Sequence, residues 1–406
     1  MGARRRLARL TGIAVLSLAA VGCTRAAAPS ASDTGASPLI LPAAAASNVP
    51  AASGGRIEWT KGPTLDRFTY FAGWSGGYFA FGQALPSHDL LIASSTDGVT
   101  WVDRPTLSAA DAYSSISIAE GPAGLLMAGW EQGCGEPPQL YAMWLSVDGG
   151  RSWSANLASA FQDATVISLA GGPSGYVAAG WVGEFAHSTP VAWTSTDART
   201  WHRSTPKGAP SEEIAISGGV AFSGGFVLAG ATWPRDASTC SQPTAVSVWW
   251  SADGSEWTRE MLPGGSFATK PEVTVSSVSG RVLVIAGSGS GDQYTRLAWI
   301  SSDGRVWTPI GLPFAICHVP ECWQLGAFDD QGLMLTSTTA DTASGIPLSS
   351  VTGGYEIRGT SVVELHSTGD VPVNLWATAR GPKGVLAVGN GIEKPSWLGV
   401  PVEAQP

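Results

Sequence analysis

Acidic and aromatic side chains occur together after several apolar runs of this chain. Two carboxylates that face one another can cleave a glycosidic bond, one as acid and the other as base or nucleophile. Tryptophan rings in such places can stack on sugars or on apolar peptides. The candidate ligand-binding residues are Trp130, Glu131, Trp181, Glu184, Trp233, Arg235 and Asp292, and Glu136, Asp236 and Glu393 occupy similar segments.

Each candidate also has a structural explanation. Acidic residues are common in exposed loops, where they favour solubility. Tryptophans at equivalent positions of a repeat can fill the space between neighbouring units. Five further tryptophans are expected in the core: Trp144, Trp193, Trp250, Trp299 and Trp397. Both explanations of the first set stay open at this point.

A short segment that occurs five times indicates how these residues are positioned. It begins with Ser, has Asp two residues later and closes with Trp, and the closing tryptophans are 52, 48, 56 and 50 residues apart. A period of about 50 residues is typical of a repeat architecture. The copies contain Ser95, Asp97 and Trp101; Ser146, Asp148 and Trp153; Ser195, Asp197 and Trp201; Ser251, Asp253 and Trp257; and Ser301, Asp303 and Trp307.

Each repeat contains four short apolar or alternating runs separated by turn residues. In the third repeat, runs at 165–170 and 176–180 flank a Gly-rich turn, a third run at 191–194 leads into the repeated segment, and a fourth ends at Pro206. Four strands in an up-and-down order form one propeller blade. The pattern therefore predicts an all-β propeller, with Trp130, Trp181 and Trp233 at or just past the ends of second strands.

The repeated segment suits the turn between the third and fourth strands. A short Asp side chain can accept hydrogen bonds from the backbone of its own turn, and Gly supplies a positive φ. Ala198 replaces that Gly in the third copy. The closing Trp is expected to start the outer strand and to pack against the next repeat.

These segments resemble the Asp-box, or BNR, repeat of the sialidase-like superfamily, over about residues 56–400. The resemblance implies a β-propeller whose Asp-boxes lie opposite the usual ligand-binding face. Sialidases use a Tyr nucleophile, a Glu that activates it, an Asp and three arginines. That arginine triad cannot be placed here, since Arg56-Ile57-Glu58 matches only two letters of the family's Arg-Ile-Pro motif.

Two further repeats without the segment are expected after the fifth, and the seventh lacks its last strand. Residues 56–63 resemble the strand that follows Trp257, so they are predicted to complete the seventh blade and to close the ring. Closure removes an exposed sheet edge. Seven blades are expected, with six as the alternative.

The first residues resemble the leader of a bacterial lipoprotein. Arg-rich residues 4–9 precede an apolar run and the sequence Ala20-Val21-Gly22-Cys23, which resembles a lipobox with Cys23 as the lipidated residue. An ordinary secretory leader is the alternative. Residues 1–23 are therefore expected to be a signal peptide, 24–55 an Ala/Ser/Pro-rich tether and 56–402 one propeller domain, on the outer face of the cell membrane.

The net charge disfavours one class of binding partner, and the cysteines could form disulfides. The formal net charge is −9, and removal of the leader's four arginines makes it −13, which disfavours nucleic acid. Cys134, Cys240, Cys317 and Cys322 are candidates for disulfides of undetermined connectivity. No metal site or cofactor is expected, and the propeller is expected to be a monomer.

The sequence thus predicts a lipid-anchored, extracytoplasmic β-propeller that binds a protein partner or a glycan without catalysis. Its only membrane contact is expected to be the lipid anchor. A glycoside hydrolase of sialidase-like fold is the alternative.

Overall fold

The structure is a computed structural model that describes residues 52–403, apart from 85–86, 109–114, 132–138, 157–158, 163, 184–188, 209–211, 235–243, 279, 291–292, 314–315, 319–332, 341–347 and 391. Its described part is almost entirely β-sheet, because short apolar runs alternate with turn residues throughout. The exception is one turn of 3-10 helix at Ser159–Phe161. No described helix is long and apolar enough to span a bilayer.

The first described strand, β1 (Ala52–Thr64), precedes five repeats that each form their own antiparallel sheet in chain order. The strands are β2 (Tyr70–Trp74), β3 (Gly77–Gln83), β4 (Leu90–Ser95) and β5 (Val102–Leu107); β6 (Ser115–Gly121), β7 (Gly124–Glu131), β8 (Gln139–Ser146) and β9 (Ser154–Ala155); β10 (Ala164–Gly172), β11 (Gly175–Val182), β12 (Thr189–Ser195) and β13 (His202–Ser204); β14 (Glu212–Phe222), β15 (Gly225–Pro234), β16 (Thr244–Ser251) and β17 (Thr258–Phe267); β18 (Glu272–Val278), β19 (Arg281–Ser290), β20 (Gln293–Ser301) and β21 (Thr308–Ile310), with β22 (Ile316–His318) beside β20.

The sixth and seventh repeats share one seven-stranded sheet. The sixth contributes β23 (Leu333–Ala340), β24 (Leu348–Arg358) and β25 (Ser361–Gly369), and the seventh contributes β26 (Leu375–Gly381), β27 (Gly384–Gly389) and β28 (Pro395–Glu403). Strand β1 lies between them, antiparallel to β28 and parallel to β25. We call this three-strand junction of β25, β1 and β28 the seam.

The seam confirms the prediction that an N-terminal strand closes the propeller. Strand β1 begins at Ala52, before the expected boundary at residue 56, and Trp59 pairs with Gly399 on one side and Gly369 on the other. Closure on both sides leaves no free edge on β1. Ile57 and Trp59 are buried in the same place.

The core is a ring of buried clusters, each between two successive repeats. Six clusters join repeats one to seven in order, and another packs Ala80 and Ala93 of the first repeat against Leu386 and Val388 of the seventh. The Tyr78 hydroxyl also donates a 2.9 Å hydrogen bond to the Gly384 carbonyl across this last junction. The described residues thus contain seven repeats by packing and six sheets by strand pairing.

Neighbouring inner strands come so close that some positions accept only glycine. A Cβ on Gly73 of β2 would lie 1.6 Å from the Arg380 carbonyl oxygen of β26, and one on Gly172 of β10 would lie 1.8 Å from the Ala221 carbonyl oxygen of β14. Gly at these positions lets the strands meet at the centre of the ring.

Tryptophans of the third strands fix the connections between repeats. The indole N–H of Trp193 donates to the Ala160 carbonyl at 3.1 Å, and that of Trp299 to the Pro263 carbonyl at 2.9 Å. In the fourth repeat the buried residue is Trp249, and Trp250 is only half-buried. The expectation of Trp250 in the core is therefore wrong, because Trp249 stands at the position equivalent to Trp193.

Candidate functional site

The five repeated segments form tight hairpins between third and fourth strands, and we call them the box hairpins. In the first, Asp97 Oδ1 accepts hydrogen bonds from the Val99 and Thr100 backbone N–H groups at 2.9 and 2.7 Å. Ser95 Oγ donates to the same Oδ1 at 2.9 Å and accepts from Gly98 N–H at 2.8 Å. The turn therefore satisfies its own polar groups.

These hydrogen bonds lower the pKa of the box carboxyls. Backbone donors are the main cause in Asp97 and Asp197, and the Ser152 hydroxyl is the main cause in Asp148; in all three the pKa falls to about 2. The pKa of Asp253 and Asp303 is lowered in the same way. A carboxyl that stays ionised is a poor proton donor at neutral pH, so the geometry favours a structural role.

The closing tryptophans pack against the preceding repeat, and the expectation that they pack against the next one is wrong. The ring of Trp153 lies edge-on to Phe79 of the first repeat with centroids 5.8 Å apart. The indole of Trp257 donates to Ser204 Oγ of the third repeat at 2.8 Å. The polypeptide path explains this, because each box hairpin folds back over the repeat before it.

The two faces of the propeller differ in what they carry. The box face holds the box hairpins and the turns between first and second strands. The loop face holds the connections from second to third strands and from one repeat to the next. Trp130, Trp181 and Trp233 approach the loop face, but they lie within β7, β11 and β15 and not beyond their ends.

The structure describes only some of the predicted site residues. Trp181 is half-buried and pairs with Thr165 and Pro190 in the sheet, and Trp233 is half-buried and pairs with Glu213. Trp130 and Glu131 are described by their strand alone. Several predicted residues lie outside the described residues: Cys23, Cys134, Glu184, Arg235, Cys240, Asp292 and Cys322, together with the side chain of Cys317.

One group of loop-face side chains joins the fourth and fifth repeats, and we call it the loop-face cluster: Trp233, Lys270, Glu272, Tyr294 and Arg296. The Lys270 ammonium lies 5.3 Å from the centroid of the Trp233 ring. Tyr294 Oη donates to Glu272 Oε2 at 3.3 Å, and the Arg296 guanidinium lies 4.8 Å from the Tyr294 ring centroid. Cations at these distances are attracted to the ring faces.

The local sequence explains the position of the Tyr294 ring. It lies across β19 at Gly287, where a Cβ would come within 2.6 Å of Tyr294 Cε1. Burial is the main reason that the pKa of Tyr294 rises to about 12, and the Glu272 carboxylate adds to it. Burial also lowers the pKa of Arg296. Tyr294 is therefore a protonated hydrogen-bond donor at neutral pH.

A polar network supports the cluster from the fourth repeat. The Arg259 guanidinium of β17 reaches across the sheet, donates to Ser247 Oγ at 3.1 Å and Thr232 Oγ1 at 2.9 Å, and forms an ion pair with Glu212. Thr232 directly precedes Trp233. The network links all four strands of the repeat. It could not be predicted from sequence spacing, because each member comes from a different strand.

Among the described residues, no group of three or more His, Cys, Asp or Glu side chains is arranged to hold a metal ion. Of the loop acids considered from the sequence, Glu393 is described, and it is exposed.

No protein-family model matches this chain, and no curated protein matches it. Three solved structures are similar at low identity. They are the polysaccharide lyase Uly1 (8% identity, 84% of this chain and 91% of the other, TM-score 0.43), the β-propeller domain of the trilobed protease of Pyrococcus furiosus (10%, 84% and 97%, 0.42) and the six-bladed fucose-recognising lectin of Aleuria aurantia (10%, 78% and 95%, 0.35).

At TM-scores below 0.5 these likenesses assign neither a function nor a residue role. The propeller assignment rests on the strand order, the seam and the ring of packed clusters described above.

Proposed function

We propose that this protein is a lipid-anchored, extracytoplasmic propeller that binds a glycan on its loop face without catalysis. The observation that carries the proposal is the half-buried Trp233 ring at that face, with the Lys270 ammonium 5.3 Å from its centroid. We also infer kinship with Asp-box propellers, which the hydrogen bonding of the box hairpins supports.

The chemistry of the loop-face cluster suits a sugar. An aromatic ring offers an apolar surface to the C–H face of a pyranose, while nearby polar groups fix the hydroxyls. Glu272 is an exposed acceptor, and Lys270 and Arg296 are donors on the same rim. The Trp233 ring with Lys270, and the Tyr294 ring with Glu272 and Arg296, give this rim two aromatic groups with polar side chains beside each.

The cluster also contains the residue types of a tyrosine-nucleophile glycosidase, so hydrolysis is the second candidate. Tyr294 and Glu272 are within hydrogen-bond distance, as an activated tyrosine requires. However, the pKa of Tyr294 is raised to about 12, and a nucleophile needs a lowered one. This supports binding over catalysis. Release of sugar from chromogenic glycosides by the wild type, lost in Tyr294→Phe, would reverse the assignment.

The binding proposal is tested on a glycan array with a matched pair of variants. Trp233→Ala should weaken binding about tenfold, because stacking and the buried apolar contact of the ring together contribute roughly 1.5 kcal/mol. Trp250→Ala is the control, since Trp250 is also half-buried, lies in the same repeat and has Arg305 3.6 Å from its ring centroid, but on the box face.

Equal loss in both variants would contradict a loop-face site. The protein-binding alternative would be favoured if the wild type, crosslinked in native membranes, retained a protein partner and no glycan. The anchor is tested separately, since Cys23→Ala should abolish labelling of the protein with a fatty acid.

A further inference from the structure

The box face contains a basic cleft between the fifth, sixth and seventh repeats. Its volume is about 820 Å³, and its lining includes Arg281, Arg358, Arg380, Lys383 and a single acid, Glu356. Four cations in one cleft contrast with the formal net charge of −9 of the whole chain. The local excess of positive charge favours an anionic ligand.

The cleft exists where two box hairpins are missing. In the fifth repeat, Gly304 of the box hairpin lies over the fourth repeat, so close that a Cβ would come within 2.4 Å of Trp250. The equivalent of Trp250 in the fifth repeat is Ile300, which lines the cleft. No box covers it, because the sixth repeat turns from β24 to β25 at Gly359 and Thr360 alone.

The seventh repeat has no such turn either. Its third strand is β28 and its fourth is β1, which come from opposite ends of the described chain. The surface of the sixth repeat that another box would cover is therefore open as well, and Ile357 and Arg358 line the cleft there.

A buried carboxylate organises the cations. Glu356, 8% exposed, accepts hydrogen bonds from Arg358 Nε and Arg380 Nη2, both at 2.7 Å. Burial by itself would raise the pKa of Glu356, but these two arginines outweigh it and hold the pKa below its ordinary value. Arg281 and Lys383 have no ion-pair partner among the described residues. The cleft therefore keeps cationic charge for a ligand.

The cleft adjoins the place where the chain enters the fold. Strand β27 begins at Gly384 on the box face, and β28 and β1 continue past it, so β1 starts on this face. Val400 and Pro401 line the cleft and pair with Glu58 and Ile57 of β1. The sequence has 28 residues between Cys23 and Ala52, so the proposed anchor joins the fold on this face.

We propose that the basic cleft binds the phosphate of an anionic phospholipid headgroup, so that the box face lies on the membrane. This inference rests on the proposed lipid anchor, which would hold the cleft close to the bilayer. The same face exposes Val147 and Val306 by 74% and 70%, beside Arg151 and Arg305 of the same box hairpins. The five ionised box carboxylates lie on the same face and accept hydrogen bonds within their own turns, so the attraction for an anionic headgroup comes from the cleft.

The test uses the chain from residue 24 onward, which lacks both the proposed acylated Cys23 and the basic, apolar leader and keeps the cleft. The probes are vesicles of phosphatidylcholine alone and vesicles of equal parts phosphatidylcholine and phosphatidylglycerol. The protein should sediment with the second kind only. Arg281→Ala combined with Lys383→Ala should weaken that binding about 30-fold, from roughly fivefold for each cation near an anionic surface.

The matched control is Lys61→Ala combined with Lys207→Ala, which removes the same charge from two exposed lysines outside the cleft lining and should leave vesicle binding within about threefold. Equal weakening in both pairs, or no binding to anionic vesicles, would overturn the inference. So would a cleft-dependent affinity for glycerol phosphate or an acidic polysaccharide without one for vesicles. A failed anchor is recognised separately, by a wild-type chain without an acyl group.

Discussion

The box face and the loop face are built by opposite means. On the box face, five hairpins repeat one pattern of hydrogen bonds within a few residues of each Asp. On the loop face, the loop-face cluster combines side chains of the fourth and fifth repeats that are up to 63 residues apart, from Trp233 to Arg296. Local turns make a uniform surface, while longer connections make an individual one.

A different feature marks the candidate functional site on each face. On the loop face, an unusual association of residues marks a candidate site. On the box face, the pattern itself is structural, and the candidate is the place where it is interrupted. The basic cleft opens where the sixth and seventh repeats lack box hairpins, beside the seam.

The largest expected effect comes from removing the seam strand, on which both faces depend. Deletion of residues 24–64 removes the buried side chains of Ile57 and Trp59 and leaves one edge of β25 and one edge of β28 without a partner strand. Burial of these two side chains alone contributes about 3–6 kcal/mol. Thermal unfolding followed by circular dichroism should show a large fall in melting temperature. Deletion of residues 24–51 is the control, and an equal melting temperature in both would contradict closure by β1.

The closing strand could be predicted because it repeats a local pattern. Residues 56–63 resemble the strand after Trp257, and an unfinished seventh repeat required a partner. The parallel pairing of β1 with β25 was not predictable in the same way. It joins two outer strands through backbone groups, and that contact imposes no alternation of its own on the sequence.

The next effect concerns the buried carboxylate of the basic cleft. Glu356→Gln leaves Arg358 and Arg380 without their shared ion-pair partner, and we expect a loss of about 2–4 kcal/mol in the free energy of unfolding. Glu58→Gln is the control, because Glu58 and Arg56 form an exposed pair at 3.9 Å that contributes less than about 1 kcal/mol.

The contribution of Glu356 to stability should also depend on pH. Because folding lowers the pKa of Glu356, its contribution is complete above the ordinary carboxyl value of 4.5 and is lost as the pH falls through the folded value. Denaturant unfolding below pH 4.5 should therefore show a smaller difference between wild type and Glu356→Gln than at pH 7. A difference that stays constant with pH would contradict the buried ion pair.

Smaller effects separate two box hairpins that differ at one residue. Gly98 has φ of 76°, and Ala198 takes the same place with φ of 59°. Gly98→Ala should cost about 1–2 kcal/mol from left-handed strain, and an added Cβ would lie 3.0 Å from Leu398 Cδ1.

The reverse change, from Ala to Gly, should alter the free energy of unfolding very little. Ala198→Gly relieves similar strain, but it loses a buried methyl of about 0.8 kcal/mol and adds chain entropy, so its effect should stay within about 1 kcal/mol. Chemical denaturation of both variants checks this. A neutral Gly98→Ala would show that the hairpins do not require a positive φ.

The candidate sites were harder to predict than the hairpins. Ser95, Asp97 and Gly98 act on one another within four residues, so their role is visible in the sequence. Trp233 was singled out as an aromatic residue, but its neighbour Lys270 comes from the next repeat. The basic cleft depends on Arg281, Arg358 and Arg380 from three repeats, and only the packing of those successive repeats brings them together.

The division of the two faces can be tested in one measurement, hydrogen exchange of the chain from residue 24 onward with and without vesicles of equal parts phosphatidylcholine and phosphatidylglycerol. Our account predicts slower exchange on the box face, at 358–361 and 380–384, and unchanged exchange at 270–272 and 293–296 of the loop face. Slower exchange on the loop face, with none at the basic cleft, would contradict it.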